Sequence, residues 1–276
     1  MFKKKIGVLL MSTIMIGTLA VGCGPKDSGK GKGAKVSISG STSVGPLMEK
    51  EAEAYKSVDA NVSVEINQLG SSAGIKDAIN GVSEIGMSSR DLKGEEKQAG
   101  LKEDKIAVDG IGIITHKNNK VKSLTMDQLK GIYTGKITNW KEVGGKNAPV
   151  VVVSREDGSG TRDAFQEIVG YESTELTKDA QISDGNGNIK STVAGNENAI
   201  GYTSFSYLDE SIHTLQVDGI DATAENAKDG KYKLSRPFLV VYKEDKLSEN
   251  GKKFIEYISS EAGQKVVEEE GLITIK

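Results

Sequence analysis

The sequence predicts an α/β protein of two lobes, and three observations carry that reading. Strand-like and helix-like segments alternate from Lys35 to the end of the chain, the pattern of βα units on a largely parallel sheet. Two strongly apolar strands, GIGIITHK and PFLVVYK, bracket the middle of the chain as two crossings between lobes would. The 276 residues allow one large domain or two lobes of ordinary size. Residues 36–115 and 236–276 are therefore expected to form one lobe and residues 116–235 the other. The chain would leave the first lobe near Thr115 and return near Arg236.

The elements follow in order. KVSISG is a short strand. VGPLMEKEAEAYKSV is a helix with Pro46 in its first turn, where a missing N–H costs nothing. NVSVEINQLG alternates at the strand period, SAGIKDAIN is helical, SEIGMSS is a short strand and EEKQAGL a further helix. DKIAVDGIGIITHK is a long apolar strand. In the second lobe LTMDQLKGIYTG is a helix closed by glycine. ITNWKEV gives a turn and a short helix, APVVVVSR a strand and TRDAFQEIVG a helix. ISDGNGN reads as a polar, glycine-rich loop, IKSTVAGN as a short helix, and AIGYTSFSYL and TLQVDGI as strands. PFLVVYK is the returning strand. An amphipathic helix pair follows, with Phe254, Ile255, Ile258, Val266 and Val267 as its apolar positions.

Residues 1–22 lie outside that fold. MFKKK and the apolar run after it form an export signal. AVGC resembles a lipobox, with Ala20 where leucine is usual, and makes Cys23 the expected lipidation site of a membrane-anchored chain. Residues 23–35, rich in glycine and lysine, read as a flexible tether. Cys23 is the only cysteine, so neither an internal disulfide nor a cysteine-built zinc site is available. With His116 and His213 as the only histidines, a histidine-rich metal site is excluded too, and no cofactor is expected. The formal charge is −3, and loss of residues 1–22 removes three lysines and no acid, leaving −6. That balance argues against a nucleic-acid partner and requires any anion site to be a local arrangement.

Three strand-to-helix junctions share one composition. Gly40, Ser41, Thr42 and Ser43 occupy the first; Gly70, Ser71 and Ser72 the second; Gly158, Ser159, Gly160 and Thr161 the third. The first N–H groups of a helix have no intrahelical partner and carry partial positive charge. Glycine lets backbone approach a ligand, and hydroxyls add donors. Each loop alone reads equally as a helix cap. Three together, with Arg155 at the lip of the third, point to a tetrahedral oxyanion. Arg155 has Glu156 and Asp157 as candidate ion-pair partners; Asp157 is placed to pin the guanidinium while its other donors face the ligand.

SGSTSVGPL, LGSSAGIKDAI, IGMSSRDL, ITNW, SREDGSGTRDAF and AIGY, in that order, resemble the phosphate-binding lipoproteins of high-affinity phosphate ABC transporters. These belong to the two-lobed extracellular solute-binding proteins. The resemblance covers the chain beyond the tether, and SREDGSGT is its most specific part. It implies a type II periplasmic-binding-protein-like fold with a hinge and an anion between the lobes. It also implies a monomer that hands inorganic phosphate to the permease subunits of an ABC importer. By similarity Thr42 and Ser43, then Ser71, then Arg155, Ser159, Gly160 and Thr161 hold the phosphate. Ser89 stands where many members carry an aspartate that accepts the proton of hydrogenphosphate and repels sulfate. Asp91 and Asp157 are the nearest alternative acceptors in sequence, and Arg90 is a candidate second cation or a surface ion pair.

Other functions lack parts. A hydrolase needs a nucleophile with a base, and neither histidine lies near Ser159 in sequence. No P-loop motif occurs. A sulfate or molybdate binder fits the same loops, and an adhesion or sensing lipoprotein fits the same fold. Saturable anion binding separates the anion readings from the last.

Overall fold

The computed structural model describes residues 34–275. The export signal, the Cys23 lipidation site and nearly all of the tether lie outside the described residues.

The first half is built of βα units whose apolar positions match the elements they form. Strand β1 (Ala34–Gly40) buries Val36 and Ile38. Helix α1 (Gly45–Tyr55) carries Pro46 in its first turn and buries Leu47, Met48, Glu51 and Tyr55, spaced as one helical face. Strand β2 (Val62–Gln68) is followed by helix α2 (Ser71–Asn80), which stops at a left-handed Gly81. Strand β3 (Ile85–Ser88) and short helix α3 (Gly94–Gln98) lead into β4 (Lys102–His116), the longest strand.

The second half contains β5 (Ser123–Leu124), α4 (Met126–Tyr133), β6 (Val151–Arg155), α5 (Gly160–Val169), β7 (Gln181–Ser183), α6 (Gly185–Ala194), β8 (Ala199–Ser204), β9 (Ile212–Val217) and α7 (Ala224–Lys228). Single 3₁₀ turns cover Trp140–Val143, Ser173–Glu175 and Phe205–Tyr207. Strand β10 (Ser235–Tyr242) and helices α8 (Glu249–Ile258) and α9 (Glu261–Glu269) close the fold. The segment ISDGNGN, expected as loop, divides between β7 and the first turn of α6. Its glycines did not prevent a helix because Ile189 and Val193 are fully buried and draw that segment onto the sheet.

The sheet runs β2-β1-β3-β10-β4-β8-β6-β7, with β9 on β4 and β5 on β9. It is mixed rather than largely parallel. β1 pairs in parallel with β2 and β3, and β6 with β7 and β8. β10 is antiparallel to both β3 and β4, and β4 is antiparallel to β8 and β9. Parallel neighbours need a crossover helix between them; β10 instead comes straight back from the second half and inserts between β3 and β4.

Two main cores result, so the chain is two-lobed. One gathers Val36, Ile38, Leu47, Met48, Ile85 and Met87 with Phe238, Val240, Phe254 and Val267. The other gathers Ile111, Ile113, Leu129, Tyr133, Trp140, Phe165 and Tyr202, with the Phe165 and Tyr202 rings stacked at 4.2 Å. The Trp140 indole donates to the Asn198 carbonyl at 2.9 Å, which gives ITNW a packing role. Strand β4 serves both: Ile106 and Ala107 belong to the first core, Ile111 and Ile113 to the second. Between them sits Asp109, buried completely.

Candidate functional site

The carboxyl ends of β1, β3 and β6 deliver the polar residues to one place, as ligand-binding ends of strands do in α/β sheets. β1 ends at Gly40, whose φ of +139° and contact with the Met87 carbonyl leave no room for a side chain. Ser41 then accepts from the backbone N–H groups of Ser43 and Val44 and turns the chain into α1. No side chain caps α1 or α2. Helix α5 is capped by Ser159, which accepts from the Arg162 N–H at 3.2 Å, so the cap reading of that serine holds.

Across the two lobes the predicted residues meet. Ser43 Oγ lies 2.8 Å from Thr161 Oγ1. Arg155 Nη2 donates to Thr42 Oγ1 at 3.1 Å. Ser71 Oγ accepts from the Ser89 N–H at 3.1 Å and lies 3.3 Å from Ser89 Oγ. A side chain on Gly160 would overlap the Ser71 and Ser89 hydroxyls, so glycine is what lets the start of α5 reach them. The backbone closes the same seam, with Ser72 N–H donating to the Gly158 carbonyl at 3.1 Å. The Tyr207 hydroxyl donates to the Thr42 carbonyl at 3.0 Å. Ser43, Ser71, Ser89, Arg155, Ser159 and Thr161 are all buried, while Thr42 is half-buried.

Arg155 is held by Glu156, which accepts from Nε and Nη2 at 2.7 Å each. Nη1 is buried with no partner among the described residues. Burial pushes the Glu156 carboxyl up, but the Arg155 guanidinium outweighs it and holds the group below its ordinary range. Asp157 does not pin Arg155: its side chain is exposed and pairs with Arg162 at 2.7 Å. Its partner is set by the helix, since Arg162 lies on the first turn of α5 and folds back over the loop. Asp91 is exposed as well. Arg90 forms an ion-pair network, forking to both oxygens of Glu96 at 2.8 Å and reaching Asp163 at 2.9 Å.

Three further residues enter that the sequence reading did not select. Asn186 Nδ2, on the first turn of α6, donates to Ser43 Oγ at 2.9 Å and Thr42 Oγ1 at 3.2 Å, while its Oδ1 accepts from Thr203 at 3.1 Å. Arg236 Nη2 donates to Ser43 Oγ at 3.1 Å and to Asp109 Oδ2 at 2.8 Å. The available signal was Asp109 inside the apolar run IAVDGIGII of β4 and Arg236 at the start of the apolar strand β10. Among the described residues no cluster of acids, histidine or cysteine is arranged to hold a metal ion. The arrangement gathers buried hydroxyl, amide and guanidinium donors, a chemistry suited to an anion.

A PBP superfamily domain model matches residues 25–262. The phosphate-binding protein PstS of Bacillus subtilis is 32% identical over 99% of this chain and 94% of its own length. This chain is a PstS-like member of the PBP superfamily. The PstS-like fold is shared with a phosphate ABC transporter substrate-binding protein from Clostridium perfringens, solved with bound phosphate. That structure matches at a TM-score of 0.87 and 69% identity, over 88% of this chain and 100% of the other. An ABC-type phosphate transport receptor from Vibrio cholerae matches at 0.75 and 37% identity, over 87% of this chain and 100% of that one. The family and the two-lobed fold expected from the sequence are borne out.

Proposed function

We propose that this chain captures inorganic phosphate outside the cell membrane and delivers it to the permease of an ABC importer. The observation that carries the reading is convergence. Loops from both lobes, Thr42–Ser43, Ser71 with Ser89, and Arg155 with Ser159–Thr161, meet in one buried seam of donors. The names of the relatives support the same ligand. The mechanism is closure of two lobes around a dehydrated anion, with hydroxyls and helix starts donating and Arg155 supplying counter-charge.

The finer parts of the reading belong with it. Residues 36–115 and 236–276 act as one lobe and 116–235 as the other. Cys23 carries a lipid that keeps the body at the extracytoplasmic face; among the described residues no helix is long and apolar enough to cross a membrane. The protein works as a monomer, without a cofactor, and binds rather than hydrolyses. Its histidines are engaged elsewhere, His213 with the Val121 carbonyl and His116 with the Asn118 N–H. Sulfate is the second reading, favoured by Ser89, whose hydroxyl donates as well as accepts.

Calorimetric titration of protein stripped of anion tests this directly. Tight phosphate binding that sulfate does not displace is the expected result. Equal binding of both anions makes the chain a general oxyanion receptor, and binding of neither removes the transport reading.

A further inference from the structure

The hydroxyl-lined seam contains a second buried guanidinium with incomplete bonding. Arg236 on β10 stands directly opposite Asp109 on β4, at the point where β4 passes from one core to the other. A single nitrogen makes its bonds: Nη2 reaches Asp109 Oδ2 at 2.8 Å and Ser43 Oγ at 3.1 Å. Nε and Nη1 are buried without a partner among the described residues. A buried donor left unmade costs the full loss of its hydration. Asp109 does not repair this: its Oδ1 faces the Phe205 N–H at 3.2 Å and takes no second nitrogen of Arg236.

The surroundings show what completes the balance. Arg236 Nη2, Asn186 Nδ2 and Thr161 Oγ1 all converge on the Ser43 hydroxyl, and Arg155 Nη2 and Asn186 Nδ2 converge on Thr42. Glu156 takes two nitrogens of Arg155, whereas Asp109 takes only one of Arg236. Burial pushes the pKa of Arg236 down, Asp109 partly restores it, and the nearby Arg155 pushes it down again. A cation depressed by a neighbouring cation is relieved by an anion bound beside it.

We propose that Arg236 is a second anion-binding cation of this site, and that Asp109 is a positioning residue that orients Arg236 while competing with the anion for it. The proposal rests on the phosphate reading above. It gives the site two guanidinium donors, one bonded to Thr42 and the other to Ser43. The plainer alternative is a cross-strand ion pair that only braces β4 against β10. The two differ in sign. A brace is weakened alike by loss of either partner. A ligand cation is lost with Arg236 but released by loss of Asp109.

The test is titration of the purified full chain with inorganic phosphate for wild type, Arg236→Gln and Asp109→Asn, with thermal melts with and without phosphate. Arg236→Gln is expected to lose roughly 100-fold in affinity, the size of one or two charge-assisted hydrogen bonds. Asp109→Asn is expected to bind at least as tightly as wild type and to gain more thermal protection from phosphate. Because Arg236→Gln strands a buried carboxylate and can fail to fold, the double variant Asp109→Asn/Arg236→Gln leaves no charge behind and is expected to show the same affinity loss. Binding by an Arg236 variant within threefold of wild type overturns the proposal, as does equal weakening by Arg236→Gln and Asp109→Asn. Wild-type protein that binds no phosphate instead sinks the phosphate reading, and this proposal with it.

Discussion

Arg155 makes three short contacts with Glu156 and Thr42 and keeps one nitrogen without a partner among the described residues. Its position is set by Glu156, so truncation removes a donor without moving the loop that carries it. Arg155→Ala is expected to lose about 100-fold or more in phosphate affinity while the protein still folds cooperatively, as titration alongside circular dichroism would show. Near-normal affinity would take Arg155 out of the site. Gly160→Ala probes the opposite fault, a group too many. Its methyl meets the Ser71 and Ser89 hydroxyls, which belong to the other lobe, so the expected damage is to closure. Each lobe would keep its own core, and the measured loss would be in affinity with little change in melting temperature. At this scale the sequence was legible where chemistry was local. SREDGSGT announced Arg155 and the start of α5 because turn glycines and hydroxyls sit side by side. Asp109 and Arg236 are 127 residues apart and meet only through antiparallel register. Asn186 was hidden inside a stretch whose glycines suggested loop.

Helix α1 carries a less comfortable feature. Glu51 is fully buried among α1, α8 and α9, and neither carboxylate oxygen has a partner among the described residues. Burial raises its pKa from 4.5 to about 8. A folded-state value above the unfolded one means that folding favours the protonated form. The contribution of Glu51 to stability is therefore greatest below the unfolded value of 4.5 and falls as pH rises toward about 8, at roughly 1.4 kcal/mol per unit. Glu51→Gln removes that slope. Thermal melts are expected to show variant and wild type close together at low pH and the variant clearly more stable in mild alkali; parallel curves across pH would remove Glu51 as the cause. The element pattern itself was readable, because Leu47, Met48 and Tyr55 mark a helical face. The buried acid on that same face was not, since glutamate is a good helix former wherever it points.

Contacts outside the donor cluster also join the two halves of the chain. Arg90 and Lys93 of the first half both reach Asp163 on α5, at 2.9 and 3.0 Å, and Arg90 Nη2 also donates to Ser72 Oγ. Asp163→Asn weakens this clasp and leaves Arg90 paired with Glu96. Stopped-flow measurement is expected to show phosphate release roughly fivefold faster, with the on-rate little changed; an unaltered off-rate would make the clasp decorative. Small-angle scattering on phosphate addition should record a smaller radius of gyration, as a closing cleft requires. The two-lobed plan was legible from two apolar strands. Their antiparallel pairing was not, because parallel and antiparallel strands buried on both faces read alike as apolar runs.

That insertion of β10 between β3 and β4 also fixes an order of assembly. The second core draws almost all its residues from Ile111 to Leu234, a continuous run, whereas the first needs Phe238, Val240, Phe254 and Val267 from the far end of the chain. A ribosome releases the N-terminus first, so β1, β2 and β3 emerge long before the strand and helices that cover them. The first core stays unfinished until nearly the whole polypeptide has been made. A late-closing core keeps the leading segment, β1 to β3, without its cover until the last strand and helices of the chain have been made.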